Sequence, residues 1–467
     1  MYYQNYHKHT SLSHRYNKDS SLVPMDYFKT MKPLADNGIP QIYSTLEHAW
    51  QGNYFKIYSD LEKFNKKNSE TNPNYKPIKF IFGVEAYWVW DRFEKDNANC
   101  HIVLLAKNDN GRKKLNRLIY ESYKTGYYYK GRIDVDLLLK LPKDDVMVTT
   151  ACVAFWNQYD IDKLDDFVLK LNNHFTDFYL EVQANNTDLQ KQVNSHIIDL
   201  HKRYHIPIIS ATDSHYISSS QIVERDELLK SNKIQYPDED GNYMDFPSCD
   251  ELIERYQEQG ILSQDEIVEA IENTNRILDF EDIVLDKSIK VPVAKKYKNL
   301  SQEERNKLLF NILIDEWKLQ RKDINEDLLE EYQKEIFNNY NEVIACGMAD
   351  YFIDSYEIMK LGQEKYGGIL TPSGRGSGVS FYINKLLRLT KVDKVNSPVT
   401  MYAERFLTST RVLESKTPPD IDNNVSDREP FIQAQRDLIG EEGTLLLYTD
   451  YNDNETNIFD SDYLEKW

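Results

Sequence analysis

The sequence predicts an α/β fold followed by a largely helical region, on three observations. Up to about Ser220, short apolar runs alternate with amphipathic stretches, which is the rhythm of β/α units. Beyond that point apolar residues recur at helical spacing without strand patterns between them. Histidines, a cysteine and carboxylates fall at the ends of the strand-like runs. About seven strands in this order predict a barrel or a doubly wound sheet. In both, the active site lies at the carboxyl ends of the strands.

The strands are expected near Tyr2–Thr10, Pro40–Thr45, Ile78–Val89, Cys100–Ala106, Val146–Cys152, Phe178–Gln183 and Ile206–Thr212. Helices are expected between them: Met25–Asp36 closed by Gly38, Tyr54–Lys67, Arg112–Tyr123 after a turn at Asn108–Gly111, and Asp188–Tyr204. The next stretches, Glu224–Ser231, Cys249–Gln259, Ser263–Leu278, Ser301–Lys322 and Glu326–Ala345, all read as helices and serve as scaffold.

The organising stretch is Tyr6-His7-Lys8-His9-Thr10. In an extended segment residues i and i+2 share a face, so both imidazoles can bind one metal cluster. Further candidate ligands follow the same edge: Glu47-His48 after the second strand, Glu85 within Gly83-Val84-Glu85, Cys152 after the fifth and Asp213-Ser214-His215 after the last. His101 starts its strand instead. It reaches the others if Ala86–Trp90 and Asn99–Leu104 pair as an antiparallel hairpin. Five of the ten histidines thus share one neighbourhood.

The motifs His7-Lys8-His9-Thr10, Glu47-His48, Gly83-Val84-Glu85, His101–Ala106, Thr149-Thr150-Ala151-Cys152 and Asp213-Ser214-His215-Tyr216 resemble those of a polymerase and histidinol phosphatase (PHP) domain. More narrowly, they resemble the domain at the N-terminus of bacterial and phage DNA polymerase III alpha subunits. That resemblance implies a distorted (β/α)7 barrel with up to three divalent metals. Two departures stand out: Glu47-His48 where the family has Asp-His, and a displaced early acidic ligand, for which Asp19 is the best candidate.

The second informative stretch is Thr371-Pro372-Ser373-Gly374-Arg375-Gly376-Ser377-Gly378, with a helix expected over Val379–Leu387. Its glycines let backbone approach a ligand closely, and the following helix would present N–H groups to an anion such as a triphosphate. No Gly-Lys-Ser/Thr follows, so it is not a P-loop. Downstream, Pro418-Pro419-Asp420-Ile421-Asp422 would place Asp420 and Asp422 on one face of a strand, suited to two divalent ions. With Glu404–Leu407, these stretches resemble the start of the polymerase III alpha palm, a nucleotidyltransferase fold. The resemblance implies that Gly374, Arg375, Gly376 and Ser377 contact an incoming nucleotide and that Asp420 and Asp422 bind catalytic magnesium. Few residues follow Asp422, and none of Asp450, Asp453, Asp460 and Asp462 in the acidic tail is assigned as a third carboxylate. The chain is therefore read as the N-terminal part of a larger polymerase that would not extend a primer by itself.

Composition bounds these readings. With 467 residues and 40% hydrophobic content the chain can bury a large core. No apolar run is long enough to span a membrane and no signal peptide opens the chain, so it is read as cytoplasmic. The four cysteines show no paired spacing, so any metal is held mainly by His and carboxylate. A net charge of −19 argues against a whole-surface grip on nucleic acid. It leaves room for local basic grooves, at Lys107–Arg117 with Lys124 and Lys130, or at Arg375 with Lys385 and Arg388.

The expected organisation is a PHP-like barrel over 1–220, a helical connector over 221–286, the first part of a palm over 287–430, and the rest of a partial palm with an acidic tail over 431–467. The expected function is a DNA polymerase III alpha-like replication protein whose barrel hydrolyses phosphoesters, as a 3′–5′ exonuclease would. Its expected cofactors are zinc, manganese or iron in the barrel and magnesium in the palm. The expected partners are DNA and deoxynucleoside triphosphates. Two rival readings are a free-standing phosphatase acting on a small phosphate ester, and a non-catalytic or split-polymerase partner completed by a second polypeptide.

Overall fold

Seven strands form one curled sheet in the computed structural model, which describes residues 1–13, 19–50, 53–98, 100–236, 241–286, 291–415 and 418–440. The four tail aspartates lie outside the described residues. The strands are β1 (Ile42–Thr45), β2 (Lys79–Trp88), β3 (Cys100–Ala106), β4 (Arg132–Ile133), β5 (Val146–Thr149), β6 (Asp177–Gln183) and β7 (Ile208–Ala211). Their order is β1-β2-β3-β5-β6-β7, with β4 paired to β2. The expected hairpin is present: β2 and β3 are antiparallel, with Glu85 opposite Val103 and Tyr87 opposite His101. The pairs β1–β2, β5–β6 and β6–β7 are parallel.

Both faces of the sheet are covered. Alternate residues Phe82, Val84, Ala86 and Trp88 of β2, with Ile102 and Leu104 of β3, join one core with the surrounding helices. The intervening residues Ile81, Val103, Leu105, Met147, Tyr179 and Ile209 form a second, inner cluster with Tyr6. That inner cluster is the floor beneath the polar site.

The helices of this unit are α1 (Pro24–Asp36), α2 (Tyr54–Thr71), α3 (Asp109–Thr125), α4 (Val135–Leu138), α5 (Ile161–His174), α6 (Asp188–Tyr204), α7 (Ile222–Ser231), α8 (Cys249–Gln259) and α9 (Gln264–Thr274). Asn108 is not in a turn before α3 but caps it, accepting from Gly111 N–H. Ser248 and Ser263 close capping boxes with Glu251 and Glu266 at the starts of α8 and α9. Residues 221–286, expected as a connector, include α8 and α9, whose Leu252, Tyr256, Ile267 and Ile271 pack into the same core as the sheet.

Two strand expectations are corrected, and one strand is added. Residues 2–10 are extended but make only an isolated bridge, Lys8 to Ser214. They lie between the end of β7 and β1: Ser214 exchanges backbone hydrogen bonds with His7 and His9 (3.1 and 2.8 Å), and Lys8 Nζ donates to Ser44 Oγ at 3.0 Å. Polar anchoring replaces ladder pairing here because Lys8 is itself buried. The two-residue β4 was not foreseen, being too short to show an alternation. Residues 418–424 contain no strand; Val425 alone bridges Leu370.

The chain divides after Leu285. The second unit packs α10 (Gln302–Gln320), α11 (Leu329–Ala345), α12 (Ala349–Glu364), α13 (Tyr382–Leu386), α14 (Ser409–Ser415) and α15 (Glu429–Leu438). Its core is built on Leu309, Leu313, Phe352, Phe381, Tyr382 and Phe406. Among the described residues no helix is long and apolar enough to cross a membrane.

Candidate functional site

The segment His7–Thr10, Asp19 before α1, the turn after β1, strands β2 and β3, and the turns after β5 and β7 bring nine of the ten candidate ligands into one cluster. Glu85 is at its centre. Its Oε1 lies 3.3 Å from His7 Nε2 and 3.0 Å from His101 Nδ1, and its Oε2 lies 3.1 Å from His9 Nε2 and 2.8 Å from His48 Nδ1. Asp213 Oδ1 stands 3.0 Å from His9 Nε2 and 3.6 Å from both His7 Nε2 and His215 Nδ1. Asp19 Oδ2 stands 3.8 Å from His48 Nε2 and 3.7 Å from His215 Nε2. Cys152 Sγ is 3.4 Å from His101 Nδ1.

The donors fit divalent ions. Ligand atoms about 2.1 Å from a shared ion stand roughly 3.0–3.4 Å apart in octahedral or tetrahedral arrays, close to most of these separations. Three sets of side chains have ligand atoms within 4.8 Å of one another: His9, His48 and His215; His7, His9 and Glu85; and His48, Glu85 and His101. His7 Nε2, His9 Nε2, both Glu85 oxygens and Asp213 Oδ1 are buried and have no hydrogen-bond partner in the protein. Such groups are costly to bury unless an ion satisfies them.

Electrostatics points the same way. Burial works against His9, yet Asp213 and Glu85 push its pKa up to about 10, and His7 is likewise raised by Glu181, Asp213 and Glu85. Burial would raise Glu85, but His101, His48 and His7 hold it well below the usual carboxylate range. The cavity therefore favours positive charge, whether proton or metal. Burial pushes the Cys152 thiol up, helped by Asp213 and Glu85, so this thiol needs a nearby cation to ionise.

Strain marks the same place. Ala49, Ala151 and Asp213 have positive φ (59°, 52° and 48°), a conformation that costs about 1–3 kcal/mol each in non-glycine residues. They are the residue after His48, the residue before Cys152 and a ligand itself. The surrounding structure holds these turns so that their side chains face the cluster.

Two residues support the ligands from behind. Glu47, expected as a ligand, instead accepts hydrogen bonds from Thr10 N (3.1 Å), Thr10 Oγ1 and Ser13 Oγ, and Ser13 Oγ meets His9 Nδ1 at 3.0 Å. Its longer arm is spent on this relay. Glu181 was missed by sequence reasoning. It is buried on β6, and its Oε1 accepts from His7 Nδ1 at 2.8 Å, which leaves Nε2 as the ligand atom. The available signal was a carboxylate between the apolar Leu180 and Val182 near the end of a strand-like run.

In the second unit the glycine loop and the aspartates come together. Gly376 has φ +72°, and a Cβ there would fall 2.0 Å from Asp422 Oδ2. Thr371 N–H and Oγ1 both donate to Asn424 O (2.9 and 3.0 Å), tying the two segments. Gly374, Arg375, Gly376, Ser377 and Asp420 are exposed, and Asp422 is half-buried. The expected helix Val379–Leu387 is a 3-10 turn, Ser377–Ser380, followed by the five-residue α13, because Asn384 turns back to donate to Gly378 O at 2.8 Å. The basic groove expected here is partly neutralised: Arg388 pairs with Glu316 at 2.9 Å and Lys385 donates to Gln320 at 3.1 Å. In the first unit, Lys107, Arg112, Lys113 and Arg117 likewise pair with Asp177, Asp109 and Glu121.

Comparison with known proteins follows this division. Residues 5–185 match the PHP domain family, and residues 298–450 match the family described as the bacterial DNA polymerase III alpha NTPase domain. The chain is 26% identical over 397 residues to DNA polymerase III subunit alpha of Borreliella burgdorferi, covering 80% of this chain and 32% of that protein. The corresponding subunit of Aquifex aeolicus is 28% identical over 417 residues, covering 80% and 34%. That of Campylobacter jejuni is 27% identical over 397 residues, covering 74% and 31%. The chain spans about a third of the length of these curated relatives.

Proposed function

We propose, for a chain that carries a PHP domain followed by a bacterial DNA polymerase III alpha NTPase domain, a role in DNA replication in which the first unit hydrolyses phosphoesters at a DNA 3′ end. The observation that carries it is the convergence of His7, His9, Glu85 and Asp213 on buried ligand atoms without hydrogen-bond partners in the protein. Divalent ions held there would polarise the phosphoester and supply a nucleophile at neutral pH.

The chain's own residues do the rest. His7 and His9 are held as Nε2 donors by Glu181 and by the Ser13–Glu47 pair, so the ligand set is oriented before substrate arrives. Glu85 contacts four imidazoles and sets the spacing between them. In the second unit, the loop Gly374–Ser377 would approach nucleotide phosphates through its backbone, and Asp420 and Asp422 would hold magnesium. The contact between Gly376 and Asp422 supports reading loop and aspartates as one site.

Metal analysis of the purified chain, with hydrolysis assays on single-stranded DNA, primer–template and small phosphate esters, tests the proposal. Stoichiometric divalent metal and release of nucleotides from DNA 3′ ends are expected. Turnover of small esters alone would favour a phosphatase, and a metal-free, inactive chain would overturn the hydrolytic reading.

A further inference from the structure

Outside the ligand cluster, the loop between α3 and β4 carries Tyr127, Tyr128, Tyr129 and Lys130 in succession, flanked by Gly126 and Gly131. Its base is rigid. Arg132 is buried, and its guanidinium donates to Gly126 O (2.9 Å), Asp96 O (2.8 Å) and Arg92 O (2.9 Å). A Cβ on Gly126 would fall 2.2 Å from Arg132 O, so only glycine permits this closure. The register of β4 sets Arg132 opposite Tyr87 of β2. At the tip, Tyr128 N–H donates to Lys130 O at 3.0 Å.

The tip is unusual in two ways. Tyr129 has φ +60°, an uncommon and costly conformation for a bulky residue. The residue is nevertheless 77% exposed, with the Tyr128 ring edge-on to its own at 4.6 Å. Lys130, next in sequence, reaches inward: its Nζ lies 3.6 Å from the centre of the Tyr87 ring. Tyr87 in turn stacks on His48 (5.7 Å, 15°) and meets His101 edge-on at 5.0 Å. The loop therefore joins an exposed aromatic face to a cation one side chain away from two of the cluster's histidines. An anionic substrate approaching Glu85, Asp213 and Asp19 needs such a cation at the rim.

We propose that the Gly126–Gly131 loop is a docking platform for the terminal nucleotide of a single-stranded nucleic acid, with Tyr129 stacking on its base and Lys130 pairing with its phosphate. Every base has a π-face, so a platform of this kind accepts any sequence. The proposal rests on the phosphoester reading for the reaction that follows binding, and it names the substrate class of that site.

The test compares the full chain with Tyr129→Ala, Tyr129→Phe, Lys130→Ala and Lys130→Arg. The probes are a short single-stranded DNA ending in 3′-terminal 2-aminopurine and the same strand ending in an abasic residue. The parent and Tyr129→Phe are expected to quench 2-aminopurine on binding. Tyr129→Ala removes the quenching and weakens binding about 10-fold, only for the strand that carries the base, with the loss in KM rather than kcat. Lys130→Ala weakens both strands alike and lowers the salt slope by about one, and Lys130→Arg restores both. Absence of quenching in the parent, or equal losses on both strands for Tyr129→Ala, overturns the platform even if hydrolysis is present. Quenching without hydrolysis supports the platform and strikes the phosphoester reading instead.

Discussion

Replacing Glu181 asks whether a carboxylate behind the ligands sets their state. Its Oε1 accepts from His7 Nδ1 (2.8 Å) and Gln183 Nε2 (3.0 Å), and its Oε2 accepts from Tyr6 Oη (2.7 Å) and Thr149 Oγ1 (2.9 Å). In Glu181→Gln the new amide nitrogen fits only on the Oε2 side, where two hydroxyls can turn to accept. On the Oε1 side it would face N–H donors. His7 thus keeps its tautomer and loses a charged partner, and metal affinity is expected to fall about 10-fold, or ~1.4 kcal/mol. Glu181→Ala removes the acceptor altogether. Its metal affinity is expected to fall about 100-fold, or ~2.7 kcal/mol. Four buried donors left at roughly 1 kcal/mol each should lower stability by about 4 kcal/mol. A competition titration against a chelator of known affinity measures the first effect, and denaturant unfolding of the metal-free chain measures the second. A folded Glu181→Ala protein that binds metal within about twofold of the parent would refute the reasoning.

Three further outcomes are expected. The double variant His7→Ala/His9→Ala should lose stoichiometric metal and all hydrolysis while its circular dichroism stays that of a folded chain; unchanged metal content would sink the cluster. Gly376→Ala should weaken magnesium-dependent nucleotide binding at least about 10-fold by calorimetry, because its methyl group displaces the Asp422 carboxylate and the backbone there (φ +72°, ψ −172°) is essentially open to glycine alone, itself a cost of about 1–3 kcal/mol. Asp354, pushed up to about 6 by burial, is protonated more readily in the folded than in the unfolded chain. Its contribution is complete below the ordinary aspartate value and is lost as pH rises toward 6, by up to about 3 kcal/mol, so Asp354→Asn should flatten the stability profile of the second unit across that window.

That the candidate ligands would come together was legible because strand geometry is simple. Period-two alternation placed Glu85 and His101 on one face once β2 and β3 were paired, and ends of strands supplied the rest. β3 itself, a run of apolar residues between polar ones, was read to the residue. What failed depended on long-range polar contacts. Residues 2–10 look like a strand, but their partners are side chains and single bridges such as Lys8 to Ser214. Glu47 sits beside a ligand in sequence, and only Thr10 and Ser13 turn it away. Glu181 carries no motif, since its importance lies in facing His7 from another strand. Helices α5 and α12 were passed over although both are amphipathic or buried runs of ordinary length. The run after Gly376 was read as one helix, and Asn384 folding back onto Gly378 breaks it.

The anchoring of residues 2–10 bears on how the protein is made. Gln4 N–H is held by Thr274 Oγ1 at 3.0 Å, Asn275 Nδ2 donates to Tyr2 O at 2.7 Å, and Asn5 is fixed by Thr212 and Ser214. His7 and His9 leave the ribosome early, yet the segment that carries them is anchored at Tyr2, Gln4 and Asn5 by residues synthesised more than two hundred positions later. These anchors do not exist until β7 and α9 have been synthesised. Fixing the segment in its final place is thereby a late event of biosynthesis, complete only when translation has run past the end of α9.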